Sequence, residues 1–477
     1  MQIKRSDIRI YADAKKVIVK YLNLETAGDS ERINILINRI LALDEEEVNR
    51  LFQDIEKEFS HRHLKFEYYL KLNYERVEYA VPKDVKLTNT RKMLLGAHFT
   101  KEYSIQSAAL FNPSMVAHPN QSGLKTGEKR FMMSFRAVGE GHISSIEFRS
   151  GIVDTQGNIR LDEDTGFASC LVKDDSKIFN TKNLKKRTSV LPDFDPAILD
   201  ELGNTFTCET FLNTPATILS KYDTQTREML ESILDTNYDL IAHHDSALSE
   251  RIIFPNAKQE AKGMEDVRFV EFIENGKSTY IGTYTAYDGH RISPQLLITE
   301  DFIRFKIRSM YGKAVYDKGV ALFPEKINGQ FAMLGRQGRE NITIMYSDDL
   351  FIWENYDTLM SPQSSWGLIQ LGNCGSPIKT EEGWLVIIHS VGAMRKYVIS
   401  AILLDLKNPS KIIKKLNKPL LSPNNEEREG YVPNVVYSCG SMKHGNLLVI
   451  PYAMSDSAST FATIDIPELL NYMVAFK

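Results

Sequence analysis

From about residue 95 to its end, the chain repeats one pattern. A short strand carrying a polar loop motif is followed by a strand rich in aromatic and β-branched residues, then by a third strand. The clearest copies read GMEDVRFVEF, STYIGTYTAYDG, PQLLITEDFIRF; then KGVALFPEKI, QFAMLGRQG, NITIMYSDDLFIW; then GSPIKT, GWLVIIHSV, KYVISAILLDL. A later copy runs YVPNVVYSCG, NLLVIPYAMSD, STFATIDI, and an earlier one FNPSMVAHP, RFMMSFRAVG, HISSIEFRSGI. Five copies, the later ones spaced by roughly fifty to sixty residues, predict an all-β fold, a five-bladed β-propeller. A sandwich or barrel of similar strand count gives no reason for a loop motif to head every copy. Between the first two copies lies a longer insertion, with a predicted helix in DTQTREMLESILD and a loop in NAKQEAKG.

The first ninety or so residues read as helical. Asp29 or Ser30 is placed to cap a helix whose apolar residues Ile33, Ile35, Leu36, Ile40 and Leu41 recur at helical spacing. In LDEEEVNRLFQDIEKEF, three acids suit the positive end of a helix dipole, and Val48, Leu51, Phe52, Ile55 and Phe59 form one face. A third apolar stretch, HLKFEYYLKLNY, follows. The expected division is a helical N-terminal module at 1–92 and the propeller domain at 93–477.

A net charge of -4 argues against a nucleic-acid or anionic-membrane partner, either of which favours a basic surface. Cys170, Cys208, Cys374 and Cys439 are scattered, no two at metal-ligand spacing, and are expected as free thiols. His61 and His63 in HRH are wrongly spaced for two ligands on one helical face, so no metal is expected. The start, MQIKRSDIRIYAD, has no apolar leader region, and no stretch has the apolar length to span a bilayer. The expectation is a cytoplasmic protein.

In a propeller the loops at the heads of the copies converge on one end of the axis. Those heads offer Asn112 and Arg136; Glu265, Asp266 and Arg268; Lys318 and Arg336; Gln370 and His389; and Asp456. Taken singly each has a plain reading: Asp266 and Asp456 as turn formers, Arg136 as a surface ion pair, His389 as a core histidine. Together they describe a pocket for a neutral polyhydroxylated substrate with an anion beside it.

GMEDVRF resembles the signature G-x-E-D-P-R of glycoside hydrolase family 130, the β-mannoside phosphorylases and β-mannosidases. FNPS and SFRAVG are similar to the family's F-N-P-A and Y-R-A elements, and ALFPEKINGQFAMLGR, SPIKTEEGWLVIIHSV and YVPNVVYSCG look like its later blades. Val267 stands where the family has Pro. The resemblance implies a five-bladed propeller with Asp266 as general acid, acting through the mannose 3-hydroxyl. Asn112, Arg136 and Asp456 would hold the mannosyl residue, with Glu265 and Arg268 beside them. A general acid must carry a proton at working pH, so Asp266 is expected to have a raised pKa, from burial and from Glu265.

The resemblance also places an anion or water site at Lys318, Arg336, Gln370 and His389. Family phosphorylases typically line this site with two arginines, a lysine and a histidine. Lys318 keeps the charge of one arginine without its planar fork, and Gln370 removes a charge where lysine is usual. On that count the expectation is an inverting, exo-acting β-mannosidase on short, β-1,2-linked manno-oligosaccharides, with Glu340 or Glu325 as its base. The alternative is a β-mannoside phosphorylase releasing mannose 1-phosphate, with inorganic phosphate as co-substrate and no other cofactor. A third reading, from a different class, is a non-catalytic sugar-binding propeller. The helical module offers a surface for homo-oligomerisation.

Overall fold

The structure is a computed structural model that describes residues 1–25 and 31–476. The expected caps Asp29 and Ser30 lie outside the described residues. The fold is mostly β, with α-helices in three places: near the N-terminus, in the insertion, and at Ile466–Tyr472.

Five antiparallel meanders follow one another along the chain. The first is Ala109–Ala117, Lys129–Val138, Ser144–Val153 and Ile159–Leu161. The second is Gly263–Glu274, Lys277–Tyr287, Ile292–Thr299 and Arg304–Ser309. The third is Ala321–Leu322, Phe331–Gly335, Ile342–Ser347 and Asp357–Met360. The fourth is Gln370–Asn373, Trp384–Val391, Tyr397–Leu404 and Ile412–Lys415. The fifth is Val436–Tyr437, Leu447–Met454 and Ala458–Asp465.

Trp384–Val391 is buried at every residue, and Leu447–Met454 at all but its first. Such strands lose their polar–apolar alternation because both faces are covered. The cover is the neighbouring meander. Phe148 packs with Phe269 between the first and second, and Leu296 with Met333 between the second and third. Leu334 packs with Val386 between the third and fourth, and Ile399 with Ile450 between the fourth and fifth. Phe461 and Val449 of the fifth then pack with Phe131 and Leu110 of the first. The fifth and first also touch through backbone, Cys439 N donating to Pro113 O at 2.8 Å.

The predicted insertion helix is Thr224–Thr236, capped by Asp223, whose carboxylate accepts from Thr226 N at 2.6 Å. Tyr238–Ile241 then joins the outer edge of the second meander. The N-terminal helices are Glu31–Leu41, Glu45–Phe59, Phe66–Glu75 and Asn89–His98. The three acids of the second lie in its first turn, as expected, behind an Asp44 cap.

Within the stretch read as a helical module the helices span only 31–98. Lys4–Arg5 and Ile10–Tyr11 pair instead with Ala458–Asp465 and form the outer edge of the fifth meander. Two-residue strands carry no readable alternation, and their partner lies at the other end of the chain. No helix among the described residues is long and apolar enough to cross a membrane.

Candidate active site

Two β-bulges build the site. In the first meander the pairing slips between Phe111 and Ser114, and in the second between Glu265 and Arg268. The bulged residues Asn112 and Asp266 sit at φ 51° and 55°. Left-handed backbone costs a non-glycine residue about 1–2 kcal/mol. A bulge re-aims a side chain out of the ladder, and here the two meet, Asn112 Nδ2 donating to Asp266 Oδ1 at 2.7 Å. Asp456 occupies the hairpin between the last two strands of the fifth meander, after Ser455, with φ 47° and 53° for the pair.

These residues wall a cavity of about 450 Å³. Of the residues singled out in the sequence, Asn112, Arg136, Asp266, Lys318, Arg336, Gln370 and Asp456 line it. Glu265, Arg268 and His389 do not line it; they support the residues that do. Arg136 Nη2 pairs with Glu265 Oε1 at 2.7 Å, and Lys318 Nζ lies 3.7 Å from Glu265 Oε2. Arg268 Nη1 donates to the Asp266 carbonyl at 2.9 Å and Nη2 to the Tyr437 hydroxyl at 2.8 Å. Arg336 Nη1 lies 3.5 Å from His389 Nε2. The candidate bases fall elsewhere. Glu325 pairs with Lys379 at 2.5 Å away from the cavity, and Glu340 is exposed and does not line it.

Sequence reasoning missed Asp317, Arg339, Arg395, Tyr397 and Tyr437, all on the cavity wall. A signal existed for Arg395. The loop after the second strand reads AVGEGHI in the first copy and SVGAMRK in the fourth, so Arg395 occupies the place of His142.

The electrostatics correct one expectation. Burial works to raise the Asp266 pKa, but Arg136, Arg268 and Lys318, with the Asn112 hydrogen bond, outweigh it and hold the carboxyl below its ordinary value. Glu265 does not supply the expected push upward, because its own charge is taken up by Arg136 and Lys318. The raised carboxyl is Asp456, pushed up to about 6 by burial and by the charge of Asp266. Burial, then Arg336 and Arg268, hold His389 well below its ordinary value, so it is neutral and accepts from Arg336. Two buried polar atoms of cavity residues, Asn112 Oδ1 and Arg336 Nε, have no hydrogen-bond partner in the protein among the described residues. Such atoms are costly unless a ligand meets them.

Asp456 carries a stability prediction. Its folded value of about 6 lies above the ordinary 3.8, so the folded state holds the proton more tightly and stability falls as pH rises through that interval. The gap corresponds to about 3 kcal/mol. Asp456→Asn removes the penalty. Thermal unfolding should show the variant more stable than the parent at pH 8, with the difference vanishing near pH 4; an equal gap at both would contradict the assignment.

Gly263 carries another. Its φ is 137°, and a Cβ there would lie 2.7 Å from the Ser144 backbone N and Cβ. Ser144 Oγ accepts from Arg136 Nε at 2.8 Å, so pushing Ser144 moves the guanidinium. Gly263→Ala should cost roughly 3 kcal/mol in urea unfolding.

A family model described as beta-1,4-mannooligosaccharide phosphorylase, of glycoside hydrolase family 130, matches residues 205–475. The chain is 33% identical over 232 residues to a 1,2-beta-oligomannan phosphorylase of Thermoanaerobacter sp. (strain X514), covering 46% of this chain and 75% of the relative. It is 36% identical over 221 residues to a beta-1,2-mannobiose phosphorylase of the same organism, covering 43% and 68%. The solved beta-1,2-mannobiose phosphorylase from Listeria innocua aligns with a TM-score of 0.47 at 21% identity, over 76% of this chain and 92% of that one. With more than half of its length matched by the family model, and a relative matched over three-quarters of its own length, the chain belongs to glycoside hydrolase family 130.

Proposed function

We propose that this enzyme is an inverting phosphorylase of short, β-1,2-linked mannosides, cleaving one mannosyl residue from the non-reducing end and releasing α-mannose 1-phosphate. The observation that carries the reading is the cationic wall of Lys318, Arg336 and Arg395, with the buried Arg336 Nε lacking a protein partner among the described residues. A phosphate dianion calls for such a wall. A hydrolase calls instead for a carboxylate base beside the sugar, and the structure gives it little support. Glu325 and Glu340 are off the cavity, and Asp317 is held by Gly338 N at 2.9 Å and Arg339 Nε at 3.2 Å. The names of the two curated relatives given above agree, since both are phosphorylases.

In this reading the five meanders are the blades of a propeller, and the helical module runs to His98, past the division expected at residue 92, which falls inside the helix Asn89–His98. Asn112, Arg136 and Asp456 hold the mannosyl residue. A phosphate oxygen attacks C1 from the side of Arg336 while the C1–O bond breaks and its electron pair goes to the leaving oxygen. That oxygen takes the proton of Asp266 through the mannose 3-hydroxyl. The cations that hold Asp266 low make it a strong donor, but they also strip its proton in the empty pocket. A dianion beside Lys318 offsets their field, so phosphate and the catalytic proton enter together.

The reverse reaction tests this. Supplied with α-mannose 1-phosphate and mannose, the enzyme should form a disaccharide and release inorganic phosphate. Absence of phosphate release, in an enzyme that frees mannose from β-1,2-mannobiose in plain buffer, would overturn it.

A further inference from the structure

The cations of the cavity wall are not equally free. Arg136 is tied to Glu265 at 2.7 Å, Arg339 to Asp317 at 3.2 Å, and Lys318 is shared with Glu265 at 3.7 Å. Among the described residues, Arg336 and Arg395 line the cavity with no salt-bridge partner. Gln370, also on the wall, is neutral and donates to the Tyr397 hydroxyl at 3.3 Å. The Arg395 guanidinium sits 5.9 Å from the centroid of the same Tyr397 ring.

The backbone under Arg395 is unusual in a way that points at a ligand. Met394 and Arg395 are consecutive left-handed residues, φ 56° and 53°. The corresponding turn of the first meander has Gly141 and His142 at φ 68° and 59°. There a glycine takes the first left-handed position at no steric cost. In the fourth meander a methionine, 89% exposed, takes it instead, so its side chain recovers no packing. The turn that carries Arg395 to the cavity is thus kept against its local conformational cost.

We infer that Arg395 is a specificity-determining ligand of the phosphate co-substrate, pairing with Arg336 to give the dianion its two uncommitted positive charges. This rests on the phosphorylase reading. In chemical terms, the site selects phosphate over water by supplying at residue 395 the charge that Gln370 does not.

Initial rates measured while varying inorganic phosphate and β-1,2-mannobiose test it. Arg395→Ala should raise KM for phosphate at least tenfold, with KM for mannobiose changed less than twofold. Arg395→Lys should fall between, since it keeps the charge and loses the fork. Adding Gln370→Lys to Arg395→Ala should restore much of the phosphate affinity, which a loss of fold could not show. If the parent is phosphate-dependent and Arg395→Ala keeps its KM for phosphate, or raises only that for mannobiose, this inference falls and the phosphorylase reading stands. If the parent shows no phosphate dependence, both fall.

Discussion

Asp266→Asn is expected to lower kcat by about 10³, within the 10²–10⁴ that a positioned acid contributes. Asn fills nearly the same volume and can still face Asn112, so the loss should fall on kcat and leave KM for the mannoside nearly unchanged. The position is held by two supports, the Asn112 amide at 2.7 Å and Arg268 on its carbonyl at 2.9 Å. A leaving group that needs no proton separates proton donation from mere disturbance. With an aryl β-mannoside of low leaving-group pKa, the variant should recover most of its rate. An equal deficit on both substrates would show that Asp266 does not donate the proton. The same substitution removes the charge that helps raise Asp456, so the Asp456 pKa should drop.

Arg336→Ala is expected to lower kcat/KM for phosphate by about 10², roughly 3 kcal/mol, the worth of a charge-assisted contact to an anion. KM for the mannoside should move little, because Asn112, Arg136 and Asp456, the residues proposed to hold the sugar, lie on the first and last meanders and Arg336 on the third. Arg336→Lys should recover part of the loss, since it keeps the charge. The neutral His389 behind it makes a further distinction. Because burial holds His389 below its ordinary pKa, no histidine ionisation should appear near pH 6.5 in the phosphate-affinity profile. Steady-state kinetics across pH 5–8, compared between the parent and His389→Ala, would reveal such an ionisation if His389 bound phosphate as a cation, because the ionisations of Asp456 at about 6 and of phosphate itself are common to both.

Much of this was legible in the sequence because the repeat is written in long strands with distinct turns. GMEDVRFVEF and FNPSMVAHP head two copies, and both prove to be bulged first strands that deliver Asp266 and Asn112 to one cavity. What escaped depended on distance along the chain. Lys4–Arg5 and Ile10–Tyr11 are too short to show a period and find their partner in Ala458–Asp465. The sign of the Asp266 shift does not follow from burial and its chain neighbour Glu265; Arg136, Arg268 and Lys318 decide it, and only Arg268 of these is near in the chain. Arg395 reads as one more surface arginine, and it is exposed, but it stands on a left-handed turn and lines the cavity. The hydrolase expectation rested on counting Lys318 and Gln370 against a motif. The cavity contains a cation that such a count omits, and neither expected base lines it.

The most direct measurement of the central claim is product identity. Purified protein would be incubated with β-1,2-mannobiose, with and without inorganic phosphate, and followed by proton and phosphorus NMR. The account predicts α-mannose 1-phosphate and free mannose in equal amounts with phosphate, and no cleavage without it. Two equivalents of free mannose formed at the same rate in both samples would contradict it, because the wall of Lys318, Arg336 and Arg395 would then have no anion to bind.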